Sequence, residues 1–452
     1  MLARTWRGTR SRRLPRSWFR AWILTLVMLG LALPGIAATP GASAAARRTA
    51  APAHSGTLHA INGNSGHSRC RGFYCYPSPR VIAKARNGQV LATEPMKVTR
   101  PLRRVSSRAL RIMYRSQGVN ANPVAVTGFL LIPRGRTPRQ GWPVVAWAHG
   151  TAGVGPICAP SRYPNLYFPG LDAYQNLITG LLSDGFAVVG TDYPGLGFPG
   201  QLHPYLQQGP QARAVVDSVL AARHLSRKLG RRWFAVGHSQ GGQAALATGE
   251  RALRAPGLRF LGTVSVAPAS HLGLIMDSFA GLSPSSSGFF FYVAAAYSSY
   301  VAVSAKLFAP SVRYTDLLSP RLASQIPTAK RLCLVPLALH LEKVRPRLKR
   351  LVNPNWSRSR QLRRFFASAE PALRRSAGPI LLLQGGRDDP IPVHVTTLLN
   401  GELCRLGNVV QYRIYPTADH DTILTQAFPA MIQWLRDRLR GIPAKQTCSR
   451  AA

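Results

Sequence analysis

The chain has 452 residues, of which 46% are apolar, enough to bury one large hydrophobic core. With 58 Lys and Arg against 16 Asp and Glu, the net charge is +42, which favours anionic surfaces and opposes binding to cationic ones. The arginines are scattered rather than interleaved with aromatic residues, so we identify no nucleic-acid module, and genome composition or an acidic habitat explains the charge equally well.

The N-terminal segment has the pattern of a signal peptide. Seven arginines precede an apolar stretch at 21–37, and small residues follow at 42–46. We therefore expect residues 1–46 to be a signal peptide of an exported protein, with an uncleaved membrane anchor as the alternative. The Arg pair at 12–13 hints at twin-arginine export, although its spacing fits poorly. Residues 47–69 are expected to be a flexible lead-in.

Export changes the interpretation of the six cysteines from free thiols to disulfides. Fifteen pairings are possible, but Cys70 and Cys75 are close enough to close a small loop. No spacing of Cys and His resembles a zinc motif, so we expect no metal site.

Along the chain, apolar runs typical of strands alternate with helical spacing. This alternation predicts a mostly parallel sheet of eight strands with helices on both faces, the first two strands being antiparallel. The predicted strands lie at 111–114, 124–132, 143–148, 186–191, 233–237, 258–266, 379–384 and 409–415, with helices at 172–183 and 211–229.

The strand at 233–237 runs into a Gly-x-Ser-x-Gly turn, Gly237 to Gly241, followed by a helix start. This strand–turn–helix order is typical of a nucleophile elbow, which needs small residues around the serine. Ser239 is therefore the candidate nucleophile. The alternative is that Ser239 only caps the helix.

In hydrolases with this elbow, an acid and a histidine follow the serine in chain order, each after a later strand. Asp388 follows the strand at 379–384 and is the candidate acid, with its neighbour Asp389 as the alternative. His420 follows the strand at 409–415 and is the candidate general base, the alternative being an ordinary polar loop residue. Together these residues predict a Ser-His-Asp triad.

Acyl transfer also requires N–H donors for the oxyanion. The backbone N–H of Gln240, directly after the serine, is the first candidate, and the loop at 149–153 has small residues that let the backbone approach a substrate. A simple glycine turn is the alternative for this loop. Asp192 ends another strand, and a turn-forming role suits it better than catalysis.

These motifs in this order resemble the secretory lipase family of actinobacteria and fungi, over about residues 72–448. The resemblance implies an α/β-hydrolase fold, no metal or organic cofactor, and hydrolysis of acylglycerols or related lipid esters. It implies that Ser239, Asp388 and His420 form the triad and that Gly150 is an oxyanion donor beside Gln240. The matching segments are Trp147–Gly153, Cys158–Ser161, Thr191–Gly197, Gly237–Gly241 and the acid and histidine turns.

The same resemblance suggests a disulfide between Cys158 and Cys333 that joins the hydrolase core to a cap. It also suggests a disulfide between Cys404 and Cys448 that holds the C-terminal tail.

The segment between the sixth strand and the acid strand is too long for a simple connection. We expect the hydrolase core at 70–268 and 379–448, with a helical cap or lid at 269–378. The aromatic run at 287–297 either lines an acyl tunnel or forms ordinary cap core, and it is too short and polar to span a membrane. The basic stretch at 342–375 is either a solvated surface or a contact for anionic lipid.

The sequence thus predicts a secreted serine hydrolase that cleaves carboxylic esters, with a triacylglycerol lipase as the specific prediction, acting outside the cell or in the cell envelope. An exported serine peptidase and a cell-envelope acyltransferase could use the same triad. A non-catalytic cationic protein that binds the envelope is the alternative of a different class.

Overall fold

The computed structural model describes residues 70–167, 172–344 and 348–448, all of them within the unit His67–Ala452. The predicted signal peptide, 1–46, and lead-in, 47–69, lie outside the described residues. Two arginines of the predicted basic stretch, Arg345 and Arg347, lie outside them as well.

One sheet contains all nine strands of the described part of the chain, in the order β1-β2-β3-β5-β4-β6-β7-β8-β9. The first three strands are antiparallel to their neighbours, whereas the six strands from β5 to β9 run parallel to one another. The strands are β1 Val90–Pro95, β2 Ser106–Gln117, β3 Pro123–Pro133, β4 Trp142–Ala148, β5 Ala187–Thr191, β6 Leu229–His238, β7 Arg259–Val266, β8 Ile380–Gly385 and β9 Val410–Tyr415.

The mostly parallel sheet is as predicted, but it has nine strands rather than eight. The additional strand, β1, lies at the edge and pairs only with β2. Its residues 90–94 are all half-buried, so neither an apolar run nor a clean alternation marks the segment as a strand.

The central strand β4 is apolar throughout because both faces of the sheet are covered there. Every residue of β4 is buried. Its Val145 and Trp147 belong to the hydrophobic core on one face, while Val144 and Ala146 belong to the core on the other. This alternation is what successive side chains of a strand produce when helices cover both faces.

Helices connect and cover the strands. In the first part of the chain they are α1 Pro79–Lys84, α2 Arg100–Val105, α3 Ala173–Ser183, α4 Gln208–Leu225 and α5 Gln240–Gly249. The prediction of a helix at 211–229 was wrong at its end, because α4 stops at Leu225 and Leu229 already pairs with Trp142 in the sheet. The elbow strand β6 therefore begins four residues earlier than predicted.

The chain between β7 and β8 is helical. It contains α6 Leu272–Ala280, α7 Pro284–Ser287, α8 Phe290–Phe308, α9 Tyr314–Leu317, α10 Pro320–Ala323, α11 Ile326–Ala329, α12 Leu334–Lys343 and α13 Arg360–Ala369. Most of the predicted aromatic run lies in α8, which packs against α12 and is buried over most of its length. Among the described residues, no helix combines the length and apolar character needed to cross a membrane.

The last part of the chain contains α14 Val393–Arg405, α15 Ile423–Gln426 and α16 Phe428–Leu439. Helix α14 follows β8, and α15 begins soon after β9. These two connections place the predicted acid turn and histidine turn at the carboxyl edge of the parallel strands, where ligands of open α/β sheets bind.

Three disulfides are present, and they match the pairs expected from the sequence. Cys70–Cys75 closes the small N-terminal loop, and Cys404–Cys448 joins α14 to the C-terminal tail. Cys158–Cys333 joins the loop after β4 to the start of α12, across 175 positions of the chain. The last bond ties the helical segment to the sheet.

Candidate active site

Ser239 lies on a strained turn between β6 and α5. Its backbone φ of 58° and ψ of −122° are unusual for a residue with a side chain. A Cβ atom at Gly237 would lie 2.0 Å from the Gly241 carbonyl oxygen, and one at Gly241 would lie 1.9 Å from the Ala148 oxygen. The turn therefore requires glycine at both positions. The Ser239 side chain makes no capping hydrogen bond to α5, contrary to the helix-cap alternative.

Asp388 and His420 lie in contact at the ends of β8 and β9. The Nδ1 atom of His420 is 2.8 Å from Oδ2 of Asp388, and the Asp388 side chain is fully buried. The Asp388 carboxylate also accepts hydrogen bonds from the backbone N–H of Ile391 at 2.8 Å and from Gln384 Nε2 at 3.1 Å. The alternative acid, Asp389, is exposed.

The hydrogen bond determines how His420 carries its proton. A carboxylate only accepts, so Nδ1 donates, which leaves Nε2 of the neutral ring as a proton acceptor. Burial by itself would lower the pKa of His420, but the charge and hydrogen bond of Asp388 outweigh burial and raise it above its ordinary value. The ring is thus a stronger base than a free histidine.

The histidine turn is attached to the elbow. His238, the residue before Ser239, hydrogen-bonds through Nε2 to the backbone carbonyl oxygen of His420 at 2.8 Å. The two imidazole rings have their centroids 4.6 Å apart. The structure therefore attaches the turn that carries the predicted base to the elbow that carries the predicted nucleophile.

Ser239 opens onto a narrow apolar cavity between the sheet and the helical segment. Its free volume of about 30 Å³ is close to that of one water molecule. Among the described residues, none that lines this cavity carries a carboxylate. The lining residues are Tyr205, Leu206, Ser239, Ala269, Leu272, Ile275, Met276, Phe279, Tyr297, Val301, Pro390 and Ile391.

The two predicted oxyanion donors lie on adjacent segments. Gly150 follows β4, and a Cβ atom there would lie 2.1 Å from the hydroxyl oxygen of Tyr174. Gln240 begins α5, where backbone N–H groups have no partner within the helix. A Cβ atom at Gly241 would lie 2.7 Å from the His149 oxygen, so the loop containing Gly150 packs against the start of α5.

A buried polar network anchors the side chain of Gln240. Its Nε2 donates to Nε2 of His203 at 2.7 Å, and Nδ1 of His203 donates to the Pro194 carbonyl at 2.9 Å. Burial lowers the pKa of His203 to about 3, so the ring is neutral and can accept at Nε2. The network fixes the first residue after the candidate nucleophile.

Asp192 has the contacts of a structural residue. Its buried carboxylate accepts hydrogen bonds from the backbone N–H of Ser161 at 2.9 Å and from Thr127 Oγ1 at 2.6 Å. The Ser161 hydroxyl donates to it as well. Burial raises the pKa of this carboxyl group. These contacts bind the turn after β5 to β3 and agree with the turn-forming role.

The contacts of Tyr174 and His238 were not predicted from the sequence. The Tyr174 hydroxyl is 2.8 Å from Nδ1 of His238. Both residues lie in elements that the sequence predicts, but 64 positions separate them. No local pattern reports such a pairing.

Comparison with known proteins places the chain in a family. The model of the family described as serine aminopeptidase, S33, matches residues 171–426, more than half of the chain. No curated protein matches the sequence.

Several solved structures share the fold at low sequence identity. Candida antarctica lipase A superposes with a TM-score of 0.67 at 17% identity, covering 83% of this chain and 86% of that one. The rice cell wall degrading esterase LipA from Xanthomonas oryzae gives 0.61 at 20% identity, covering 79% and 100%. A putative hydrolase from Legionella pneumophila gives 0.62 at 16% identity, covering 80% and 100%.

Sequence identities this low are evidence for a shared fold alone, and this fold is the one that the sequence motifs implied. The parallel sheet, the elbow between β6 and α5 and the family match agree with one another. The chain therefore belongs to the serine aminopeptidase, S33, family and has the α/β-hydrolase fold.

Proposed function

We propose that the protein hydrolyses carboxylic esters of lipids through Ser239, His420 and Asp388. The observation that carries this proposal is the elbow serine opening onto an apolar cavity, with the hydrogen-bonded Asp388–His420 pair attached to the same elbow. Apolar walls suit an acyl chain, since each buried CH₂ contributes about 0.8 kcal/mol of transfer free energy.

The reaction would proceed through an acyl-enzyme. The Ser239 hydroxyl attacks the ester carbonyl carbon while Nε2 of His420 takes its proton. The same proton then passes to the alcohol oxygen as it leaves. In the second half of the reaction, water attacks the acyl carbon and loses a proton to His420. The bond between that carbon and Ser239 Oγ then breaks, and the proton passes from His420 to Oγ, which releases the carboxylic acid and restores the enzyme. Asp388 holds the ring and stabilises its charged form.

Backbone N–H groups would stabilise the negative oxygen that forms on the carbonyl. We assign this role to Gln240, at the start of α5, and to Gly150, in the loop that packs against it. Loss of one such donor typically lowers kcat about 10²–10³-fold.

The small volume of the cavity bears on the size of the acyl group. A volume of about 30 Å³ cannot hold a long chain, so a lipid substrate would require the cap helices to move apart. Leu272, Ile275 and Phe279 of α6 form one wall, and Tyr297 and Val301 of α8 form another. We propose triacylglycerols and related long-chain esters as substrates, in line with the lipase and esterase that share the fold.

A series of p-nitrophenyl esters from acetate to palmitate, with emulsified triacylglycerol alongside, tests this proposal. We expect hydrolysis of the long-chain esters and of the emulsion, and its loss in Ser239→Ala. Activity confined to short soluble esters would identify a short-chain esterase. Ester hydrolysis that persists in Ser239→Ala would overturn the assignment of the nucleophile.

The family description favours a second candidate, an aminopeptidase. Such an enzyme must hold the free ammonium group of a peptide, and a carboxylate is the usual partner of a buried cation. None of the described residues that line the cavity at Ser239 carries a carboxylate, which favours the ester over the peptide. Aminoacyl p-nitroanilides assayed beside the esters decide between the two candidates.

We also propose that the protein is exported and contacts anionic lipid or the cell envelope through its basic surface. Three disulfides suit an oxidising compartment. The basic side chains of the predicted basic stretch are exposed, and few acidic side chains neutralise them. The Glu370 carboxylate accepts a hydrogen bond from the backbone N–H of His271 instead of pairing with these cations. The exposed residues are Lys343, Lys349, Arg350, Arg358, Arg360, Arg363, Arg364, Arg374 and Arg375.

Binding to vesicles of phosphatidylglycerol, with phosphatidylcholine as the neutral comparison, tests this contact. A triple Arg→Gln variant of Arg360, Arg363 and Arg364 on α13 should weaken the binding. The matched control replaces Arg100, Arg103 and Arg104, which line a separate open groove. Equal losses in both variants would indicate attraction by net charge alone.

A further inference from the structure

Two buried side chains form a hydrogen-bonded chain that ends on the backbone of His420. Tyr174 of α3 contacts Nδ1 of His238 at 2.8 Å, and Nε2 of His238 contacts the carbonyl oxygen of His420 at 2.8 Å. The three residues are 6%, 1% and 8% exposed, so water does not compete freely for these bonds.

The direction of each hydrogen bond follows from the chemistry of the atoms. A carbonyl oxygen only accepts, so Nε2 of His238 must donate to His420. The neutral ring then accepts at Nδ1, and the Tyr174 hydroxyl is its donor. Burial, followed by the charge of nearby His420, lowers the pKa of His238 well below its ordinary value, which keeps the ring neutral.

The chain of bonds joins three separate parts of the site. His238 immediately precedes Ser239, His420 lies in the turn after β9, and the Tyr174 hydroxyl lies against Gly150 in the loop after β4. In the sequence, 64 positions separate Tyr174 from His238, and 182 separate His238 from His420. One hydroxyl and one imidazole therefore link the elbow, the histidine turn and the proposed oxyanion loop.

We propose that Tyr174 and His238 are positioning residues that hold the backbone of His420, so that its ring stays between Asp388 and Ser239. This inference rests on the proposed function of Ser239 and His420. The hydrogen bond from Nδ1 to Asp388 restrains one atom of the ring but leaves the turn free to pivot about it. The bond to the His420 carbonyl supplies the second point of attachment.

Kinetics of three variants test the positioning role against simple loss of stability. Tyr174→Phe removes the donor to His238, His238→Leu removes the bond to His420, and His238→Gln retains an N–H donor toward the carbonyl. The matched control is Tyr114→Phe, because the Tyr114 hydroxyl is also buried and donates to Thr191 Oγ1 at 2.6 Å, within the core on the opposite face of the sheet.

We expect Tyr174→Phe and His238→Leu to lower kcat about 10–100-fold with KM unchanged within about twofold, since small misplacements of reacting groups cost this much. The acid limb of the pH profile of kcat/KM should move to lower pH, because a displaced ring loses the support of Asp388. His238→Gln should recover part of the loss. Tyr114→Phe should lower the melting temperature without changing kcat or the pH profile.

A second measurement does not depend on turnover. The proton on Nδ1 of His420, held by a carboxylate, should give a low-field ¹H NMR signal that disappears in Asp388→Asn. Tyr174→Phe should shift or broaden this signal, and Tyr114→Phe should leave it unchanged.

The outcomes separate the two proposals. If the wild-type enzyme hydrolyses esters and Tyr174→Phe keeps its kcat, its pH profile and the low-field signal, the positioning role is refuted while the proposed function stands. If the wild-type enzyme has no ester activity, the proposed function fails, and the NMR signal alone decides whether Tyr174 and His238 hold the histidine turn.

Discussion

Replacing Asp388 by Asn tests the core of the proposed mechanism, because the structure defines what an amide would meet there. The carboxylate receives three donors: Nδ1 of His420 at 2.8 Å, Gln384 Nε2 at 3.1 Å and the backbone N–H of Ile391 at 2.8 Å. An amide has only one oxygen for these three donors, and its NH₂ group must face at least one of them.

Each orientation of the amide has its own consequence. If the amide oxygen keeps the hydrogen bond from the backbone N–H of Ile391, the NH₂ group faces His420. The ring must then accept at Nδ1 and carry its proton on Nε2. In that tautomer it cannot take the Ser239 proton, and kcat should fall about 10⁴-fold, or about 5 kcal/mol. If the oxygen turns to His420, the buried N–H of Ile391 loses its acceptor, which costs about 1–3 kcal/mol of folding stability.

The assay is kcat/KM for a p-nitrophenyl ester across pH, with the free energy of unfolding measured in parallel. In the wild-type enzyme kcat/KM should rise with pH through a midpoint above 6.5, because the pKa of His420 is raised. Asp389→Asn, at the neighbouring exposed position, is the control and should stay within about threefold of the wild type. A fall of less than tenfold in Asp388→Asn without a loss of unfolding free energy, or an equal fall in Asp389→Asn, would refute the assignment of the acid.

Three further predictions concern the cavity, the cap and the core. Met276→Trp should fill the narrow cavity and lower kcat/KM for palmitate at least about tenfold while acetate changes less than about threefold, as measured with the ester series; equal effects on both would show that the acyl chain lies elsewhere. Replacing Cys158 and Cys333 by Ser opens a loop of 175 residues, and chain entropy predicts a loss of up to about 5 kcal/mol in denaturant unfolding; an unchanged midpoint would mean that packing alone holds the cap. Burial raises the pKa of Asp217, which accepts from Ser116, to about 6 against 3.8 in the unfolded chain. Between about pH 4 and pH 6 this carboxyl group is therefore protonated in the folded chain and ionised in the unfolded chain, so the free energy of unfolding falls as pH rises through this range. Asp217→Asn should stabilise the fold by about 3 kcal/mol at pH 8 and little at pH 4; equal stabilisation at both pH values would point to packing instead.

The local sequence was enough to predict the main elements and the positions of the candidate triad. Ser239 and Asp388 each follow an apolar run that forms a mostly buried strand, and glycines mark their turns. His420 follows the half-exposed strand β9, and Pro416 marks the end of that strand. Such signals depend on near neighbours, since strand burial and turn geometry are properties of a few consecutive residues. The edge strand β1 lacked them because its residues are only half-buried.

Local patterns could not decide which neighbour of the pair Asp388 and Asp389 contacts His420. The choice depends on the direction in which the turn after β8 points each carboxylate, and in the structure Asp388 is the one that is buried. The width of the cavity is likewise set by how α6 and α8 pack above Ser239, which no stretch of the chain specifies alone.

By itself, then, the sequence determined the order of the main strands and helices, without the edge strand β1, together with the elbow and the three loops that carry the candidate triad. Only the tertiary structure decided that Asp388 rather than Asp389 contacts His420, that hydrogen bonds join Tyr174, His238 and the carbonyl of His420, and that the cavity is narrow. The physical reason is that the first set follows from periodicity and turn chemistry between neighbours, whereas the second consists of contacts between residues 32, 64 and 182 positions apart, which form only when the elements pack together.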